Sequence, residues 1–243
     1  MKIFGRCSYK GTNYYGWQKQ VDYLSVQATI EEALSKVYNS KIDIVGSGRT
    51  DAGTHALKQC FHYVCEREKD LNLLTYSLNK MLPDDIKIIS LEVVDDNFHA
   101  RYSAKRKVYE YHIVLDGKDP FAYEFSYVFP MDFDFVLFKE ALLYFKGEHN
   151  FQNFTSKEED EDNFIRTIYM IDVDKTDNLI KVTFEGNGFM RYQIRNMVGS
   201  AMSVASKKEE MSFIKNRLDN FQERNIVSYK APSCGLYLVD VMY

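Results

Sequence analysis

A single carboxylate, Asp51, lies in a glycine-rich segment, and this combination is well suited to chemistry. The segment reads Gly-Ser-Gly-Arg-Thr-Asp-Ala-Gly-Thr-His over residues 46–55, with Arg49 two residues before the carboxylate. Glycine has no Cβ atom, so the backbone of such a turn can approach a ligand closely. A carboxylate held there can act as a nucleophile or as a base. An Asx turn, in which Asp51 bonds only to its own loop, fits the same pattern about equally well.

Basic and aromatic side chains lie together in a second segment. Arg101, Arg106 and Lys107 lie before or at the start of a strand-like run that carries Tyr109 and Tyr111 on one face. Basic groups beside aromatic rings suit a nucleic-acid backbone and an unstacked base. An edge strand with a solvated basic run is the alternative, and packing in the core is the default for either tyrosine.

Two arginines belong to a third segment. Arg191 and Arg195 are four residues apart in the run 186–197, and a helix would bring them to one face. The functional interpretation makes one of them the partner of Asp51. An amphipathic helix with two exposed arginines is the alternative.

Common phosphate and metal motifs are missing. The glycine-rich segment has P-loop spacing, but Thr54 and His55 follow where lysine and serine or threonine are needed. The four cysteines form no C-x-x-C pair, and Cys60 and Cys65 fall on opposite faces of one predicted strand. We expect free thiols in a reducing cytoplasm and no metal site.

Composition sets the remaining bounds. The chain has 243 residues, of which 45% are hydrophobic, as in ordinary globular proteins. Its net charge of −4 provides no general basic field for nucleic acid, although a local cleft could still be basic. Residues 1–9 do not resemble a signal peptide, and no apolar run is long enough for a bilayer. The acidic run 158–162 is expected to be solvated and mobile.

Hydrophobic periodicity predicts a regular alternation of strands and helices. In the first half, strands are expected at 2–9, 42–46, 59–66 and 86–94, and helices at 26–38 and 71–82. In the second half, strands are expected at 107–115, 167–174, 179–185 and 236–241, and helices at 135–145, 191–207 and 209–220. Two β-α-β-β-α-β passes predict an α+β fold with halves 1–103 and 104–243. Their strands would form one continuous, mostly antiparallel sheet with helices on one face.

Taken together, these motifs resemble those of the tRNA pseudouridine synthases of the TruA family. The resemblance runs in order from one end of the chain to the other, and the set is far more specific than any one member. The matching segments are residues 11–18, 48–56, 98–101 with Tyr109, 147–151, 166–168, 189–199, 231–232 and 235–238.

The resemblance implies that the protein isomerises uridine to pseudouridine in the anticodon stem-loop of tRNA, at about positions 38, 39 and 40. It implies base flipping, a homodimer in which one tRNA contacts both subunits, and no metal or organic cofactor. It also implies two α+β halves around one sheet, in agreement with the predicted element order.

The resemblance also assigns roles to individual residues. Asp51 corresponds to the nucleophile, and Arg195 to the arginine that pairs with it. Arg49 corresponds to the arginine that holds the place of the flipped nucleotide. Tyr109 corresponds to the tyrosine that stacks on the target base and is a candidate for removing the C5 proton. Leu236 corresponds to an aliphatic residue that lines the base site.

Arg101, Arg106, Lys107 and Arg191 are the predicted RNA-binding residues. Lys107 stands where arginine is usual, which weakens a bidentate phosphate contact. The pair Tyr192-Gln193 replaces the usual basic-apolar pair, and Asn150 replaces a common aspartate.

Two other functions fit part of the pattern. A non-catalytic RNA-binding protein would keep Tyr109 and the basic groups but would tolerate replacement of Asp51. A phosphoryl-transfer or hydrolytic enzyme would need a metal or a lysine clamp, and the sequence shows neither. Whether Asp51 attacks C1′, attacks the pyrimidine ring or removes a sugar proton stays open at this point, because all three need the same ionised group.

Overall fold

The structure is a computed structural model that describes residues 1–129, 132–156, 163–220 and 224–243. The predicted acidic loop at 158–162 lies outside the described residues. Contacts divide the chain into two compact units. The first comprises Met1–Lys105 together with Tyr237–Tyr243, and the second comprises Arg106–Leu236.

The described residues form ten strands and six helices. The first unit begins with β1 (Lys2–Tyr9), α1 (Val26–Tyr38), β2 (Val45–Gly46), β3 (His55–Val64), α2 (Leu71–Met81) and β4 (Ile86–Val94). The second contains β5 (Arg106–Val114), α3 (Ala122–Phe125), β6 (Tyr127–Val128), α4 (Phe135–Leu143), β7 (Gly147–Asn150), β8 (Ile165–Thr176), β9 (Leu179–Gly186), α5 (Gln193–Ala205) and α6 (Met211–Asp219). Strand β10 (Leu236–Met242) then returns to the first unit.

The sheet of the first unit has the order β4-β1-β3-β10. Strand β1 pairs antiparallel with β3 and with β4, so it is central. The start of β3 pairs in parallel with β10, at His55 with Tyr237 and at Ala56 with Leu238. The short β2 pairs with the later part of β3. The Asp51 segment is therefore the connection from β2 into β3.

The sheet of the second unit has the order β5-β9-β8-β7 and is antiparallel throughout this order. The two-residue β6 adds one parallel pair to β5. Helix α5 is buried on nearly every side, because apolar residues such as Met197 and Val198 and polar residues such as Asn196 and Ser200 are all inaccessible. This helix is a core element rather than an amphipathic surface helix.

Three helices begin directly after a residue whose side chain caps them. Ser25 accepts a hydrogen bond from the Ala28 amide ahead of α1, and Asp70 and Asp134 accept two amide bonds each ahead of α2 and α4. Each cap satisfies amide groups that the first helical turn leaves without a partner.

Mixed helices and mostly antiparallel strands confirm the predicted α+β class. The bounds of β1, α1 and β4 are as predicted. Predicted strand 42–46 was wrong in length, because Ser35 Oγ and Glu31 Oε1 on α1 accept the amide bonds of Ile42 and Ile44 in place of a strand. Helix α5 begins at Gln193, so Arg191 lies in the turn before it and not on a helix face. Elements α3, β6 and β7 were not predicted.

No described helix is both long enough and apolar enough to cross a membrane.

Candidate active site

Asp51 lies in the turn that joins β2 to β3 in the first unit, and it is half-buried. The amide of Thr54 donates a 3.1 Å hydrogen bond to the carbonyl oxygen of Asp51, which closes the turn. Arg49, two residues earlier, is exposed. The Asp51 carboxylate is thus carried by a turn whose backbone is closed by its own hydrogen bond.

The loop after β1 supports this turn on both sides of Asp51. The amide of Trp17 donates to the carbonyl oxygen of Thr50 at 3.2 Å, and the amide of Gly53 donates to that of Tyr14 at 3.2 Å. Tyr14 and Trp17 are themselves only 4% and 1% exposed, so the support belongs to the core of the unit. Main-chain bonds to buried residues leave the Asp51 turn little freedom to shift.

Two glycines in the supporting loop are required by close backbone contact. A Cβ atom on Gly11 would lie 2.0 Å from the carbonyl oxygen of Thr54. A Cβ atom on Gly16 would lie 2.4 Å from the carbonyl oxygen of Thr50, and the φ of Gly16 is +87°. The spacing of the two glycines in the sequence therefore reflects how closely two loops pack.

Side chains fix the beginning of the Asp51 turn. Ser47 Oγ donates to Gln59 Oε1 at 2.7 Å, and Gln59 Nε2 donates to the carbonyl oxygen of Gly48 at 3.0 Å. The hydroxyl groups of Tyr9 and Thr50 share a buried 2.8 Å hydrogen bond. The four side chains are buried, and each is satisfied within the fold.

His55 has a structural role at the end of the turn. It is 2% exposed, its Nδ1 accepts a 3.1 Å hydrogen bond from the amide of Gly11, and its ring stacks on Tyr237 with centroids 4.8 Å apart. Sequence analysis assigned no role to His55, Tyr9 or Trp17. The only signal that could have found His55 and Trp17 was their position in the motif segments 48–56 and 11–18, and Tyr9 lies outside those segments.

Arg101 lies on a second loop of the first unit, between β4 and β5, and it is exposed. Beneath this loop His62 is 6% exposed, and its Nδ1 accepts a 3.1 Å hydrogen bond from the amide of Ala100. Burial, with a smaller electrostatic effect from the neighbouring His99 and Lys2, lowers the pKa of His62 from 6.5 to about 4. A neutral imidazole therefore holds the loop at neutral pH.

In the second unit, Tyr109 lies on β5 directly across from Phe184 on β9. Its ring makes an edge-to-face contact with Phe189, with centroids 5.3 Å apart, and 7% of the residue is exposed. Such a contact fixes the plane of the ring. Leu236, at the start of β10, is 6% exposed.

Arg195 lies in the first turn of α5 and is half-buried. Its Nε donates a 2.8 Å hydrogen bond to the carbonyl oxygen of Ala231, and its Cζ lies 5.2 Å from the centre of the Tyr192 ring. Arg191 is exposed, and its Cζ lies 4.8 Å from the centre of the same ring. The two arginines approach one aromatic ring although they do not share a helix face.

Arg106 and Lys107 begin β5, and the two differ in environment. Arg106 Nη1 forms a 2.7 Å ion pair with Glu185 Oε1, and its Cζ lies 4.9 Å from the centre of the Tyr169 ring. The hydrogen bond and charge of Glu185 raise the pKa of Arg106. Lys107 lies across from Gly186 in the β5–β9 ladder.

The predicted site residues thus divide between the units. The first unit holds Arg49 and Asp51 on one loop and Arg101 on another. The second unit holds its members on β5, in and before the first turn of α5, and at the start of β10. Within the described ranges, no group of three or more histidine, cysteine, aspartate or glutamate side chains is arranged to hold a metal ion.

A family model described as tRNA pseudouridine synthase matches residues 7–103 and 141–243. The chain belongs to the tRNA pseudouridine synthase family. The protein is therefore an isomerase that acts as a tRNA pseudouridine synthase. The gap between the two matched ranges contains Arg106, Lys107 and Tyr109.

Curated members of this family are similar over nearly their whole lengths. "tRNA pseudouridine synthase A" of Thermodesulfovibrio yellowstonii is 39% identical, over 97% of this chain and 96% of that protein. "tRNA pseudouridine synthase A 1" of Protochlamydia amoebophila is 39% identical, over 97% and 94%. The Mycoplasma genitalium "tRNA pseudouridine synthase A" is 34% identical, over 100% and 98%. The similarity thus extends over nearly the whole of this chain and of each of these proteins.

Proposed function

We propose that this protein converts uridine to pseudouridine in the anticodon stem-loop of tRNA, at about positions 38, 39 and 40. The family assignment supports tRNA as the substrate, and the TruA-like motifs support the anticodon arm. In this proposal the enzyme acts in the cytoplasm as a homodimer, with one tRNA contacting both subunits.

The reaction is an isomerisation that needs no outside reagent. The bond between N1 and C1′ breaks, the base turns, and a bond forms between C5 and C1′. The proton on C5 is lost, and N1 gains one. Because the target base is stacked or paired in the arm, it must first be flipped out, at a cost of a few kcal/mol.

Asp51 is the proposed nucleophile. The observation that carries this assignment is the turn itself: bonds from Trp17 to Thr50 and from Gly53 to Tyr14 fix the backbone on both sides of one half-buried carboxylate. A fixed carboxylate avoids the cost of ordering it in the transition state. The carboxylate must be ionised, and the positive charge of Arg195 is proposed to favour that form.

Tyr109 is the proposed stacking partner of the flipped base and the candidate for removal of the C5 proton. Its contact with Phe189 supports this role, because a ring already held in one plane can stack without further ordering. Stacking of this kind returns about 1–3 kcal/mol. Leu236 is proposed to line the base site, and the exposed Arg49 to occupy the place of the flipped nucleotide.

Arg101, Arg106, Lys107 and Arg191 are proposed to bind phosphates of the tRNA. Exposure of Arg101 and Arg191 supports this assignment. Arg106 is already paired with Glu185, so its contribution is expected to be smaller.

The test is pseudouridine mapping in tRNA from cells that lack the gene, incubated with purified protein. Wild-type protein should form pseudouridine in the anticodon arm. Asp51→Asn and Asp51→Ala should form none, while their thermal unfolding and tRNA binding stay close to wild type. Asp177→Asn is a matched control: Asp177 is an exposed turn aspartate with φ of 51°, which asparagine tolerates. Substantial product from either Asp51 variant would defeat the assignment.

A further inference from the structure

Three cations surround one aromatic ring in the second unit. Lys230 Nζ lies 4.2 Å from the centre of the Tyr192 ring, Arg191 Cζ 4.8 Å and Arg195 Cζ 5.2 Å. Arg191 Nη2 also donates a 3.0 Å hydrogen bond to the Tyr192 hydroxyl. We call these four residues the Tyr192 cluster. Because all three charges lie within 5.2 Å of one point, no two of them are farther apart than twice that distance.

The fold holds this arrangement together. The carbonyl oxygen of Arg195 accepts a 3.0 Å hydrogen bond from the amide of Ala231, and Arg195 Nε donates a 2.8 Å bond to the Ala231 carbonyl oxygen. This double link fixes the backbone next to Lys230. Thr155 Oγ1 donates a 2.9 Å bond to the carbonyl oxygen of Arg191 and fixes the other side. Hydrogen bonds between segments that are distant in the sequence therefore hold the three positively charged side chains near the Tyr192 ring.

No carboxylate in the described part of the chain forms an ion pair with Arg191 or Lys230. Both side chains are exposed. Arg106 in the same unit provides the contrast, because Glu185 neutralises it. An aromatic ring attracts cations, but it carries no net charge to balance them. Like charges so close together repel, and an anion between them would remove that repulsion.

We propose that Arg191 and Lys230, held beside Tyr192, bind a backbone phosphate of the tRNA substrate. The inference rests on the proposed function and extends it to Lys230 and Tyr192, to which sequence analysis gave no role in binding. A phosphate fits better than a base, because cations already occupy the surroundings of the Tyr192 ring. Arg191 contributes a planar donor fork, and Lys230 contributes a compact point charge.

The test is the salt dependence of tRNA binding by the full-length protein. The association constant K for tRNA falls as salt rises, and the loss of one phosphate contact makes the negative slope of log K against log salt shallower by about 0.7–0.9. Lys230→Ala should make the slope shallower by that amount and should weaken binding several-fold near physiological salt. Lys230→Arg should restore both. Because Lys230 is exposed, neither change should alter the melting temperature.

A matched control is available in the same unit. Lys175 Nζ lies 5.4 Å from the centre of the Phe135 ring, and Lys175 forms no ion pair among the described residues. Lys175→Ala should keep the wild-type slope and affinity. A slope for Lys230→Ala equal to that of wild type would overturn the inference, whatever the change in affinity.

Two further outcomes separate this inference from its alternatives. Stabilisation by inorganic phosphate that depends on Lys230, together with unchanged tRNA binding, would mean that the cluster takes a free anion, and it would overturn the RNA assignment. Failure of wild-type protein to form pseudouridine in the same tRNA would defeat the proposed function instead. The slope measurement does not depend on turnover, so the two failures are distinguishable.

Discussion

The hydroxyl groups of Tyr9 and Thr50 lie 2.8 Å apart in the interior of the first unit, and they join the end of β1 to the residue before Asp51. Tyr9 is 4% exposed and Thr50 is 8% exposed. A hydrogen bond in such surroundings contributes about 1 kcal/mol to stability, and losing one partner leaves the other without compensation. The same bond therefore stabilises the unit and helps to position the Asp51 carboxylate, the proposed nucleophile.

Tyr9→Phe is expected to lower stability by about 1–2 kcal/mol and to lower turnover by up to about tenfold, the equivalent of about 1.4 kcal/mol. Turnover falls because the Asp51 turn loses one of its fixed points. Thermal unfolding and single-turnover rates at saturating tRNA measure the two effects. Tyr38→Phe is the matched control, since Tyr38 shares a buried 3.4 Å hydroxyl contact with Tyr63 in the same unit. It should lose stability and keep turnover; equal turnover losses in both variants would contradict the prediction.

Single replacements of the two tyrosines on one face of β5 should separate an effect on turnover from an effect on stability. Tyr109→Phe should keep tRNA binding and the melting temperature but should slow or block turnover, because the phenol that is proposed to take the C5 proton is lost. The buried Tyr111 donates a 2.7 Å hydrogen bond to the carbonyl oxygen of Pro232. Tyr111→Phe should therefore cost about 1 kcal/mol of stability and should leave turnover per folded molecule intact. Unchanged turnover in Tyr109→Phe would remove the proton role.

Arg195→Lys should lower kcat by at least about tenfold with little change in KM. Lysine keeps the charge, but it cannot reproduce the bond from Nε to Ala231 or the planar approach to the Tyr192 ring. Steady-state kinetics on tRNA measure both constants. Arg217→Lys is the control, because the Arg217 Cζ lies 3.8 Å from the centre of the Phe213 ring on α6, outside the proposed site. A change confined to KM would contradict the positioning role of Arg195.

Acid should destabilise the first unit through His62. The folded-state pKa of His62 is lowered to about 4 from 6.5, so the unfolded chain takes up a proton that the folded chain refuses in this range. The free energy of unfolding should therefore fall as pH decreases from about 6.5 to about 4, with no contribution from His62 above that window. Thermal unfolding at several pH values measures this dependence.

His62→Asn removes the titrating group while its side-chain oxygen can still accept the bond from the amide of Ala100. Its stability should fall less steeply than that of wild type over the same pH window. His149→Asn, which changes a half-buried histidine of the second unit, should keep the wild-type profile. Parallel profiles for wild type and His62→Asn would contradict the prediction.

Much of the fold follows from local signals in the sequence. The bounds of α1 are as predicted, because the Ser25 cap and the apolar stripe through Ile30 and Leu34 both lie within one short segment of the sequence. The bounds of β1 and β4 follow from similar local patterns. In contrast, β3 begins at His55, earlier than predicted, because His55 and Ala56 pair with β10 from the far end of the sequence.

Prediction of the proposed site was limited in the same way. Motif resemblance proposes Asp51, Arg49 and Arg195 as site residues, but the residues around them depend on tertiary contacts. The stacking of His55 on Tyr237 and the approach of Lys230 to Tyr192 join residues far apart in the chain. No periodicity or spacing within a local segment can indicate such pairs.

The return of β10 to the first unit has a consequence for folding during synthesis. The edge of β3 at His55 and Ala56 has no partner until the whole second unit has been translated. An unpaired edge is a template for pairing with another chain, and contacts between distant residues form slowly. Newly made N-terminal units are therefore expected to be vulnerable to aggregation on the ribosome, at an edge that lies directly after the Asp51 turn.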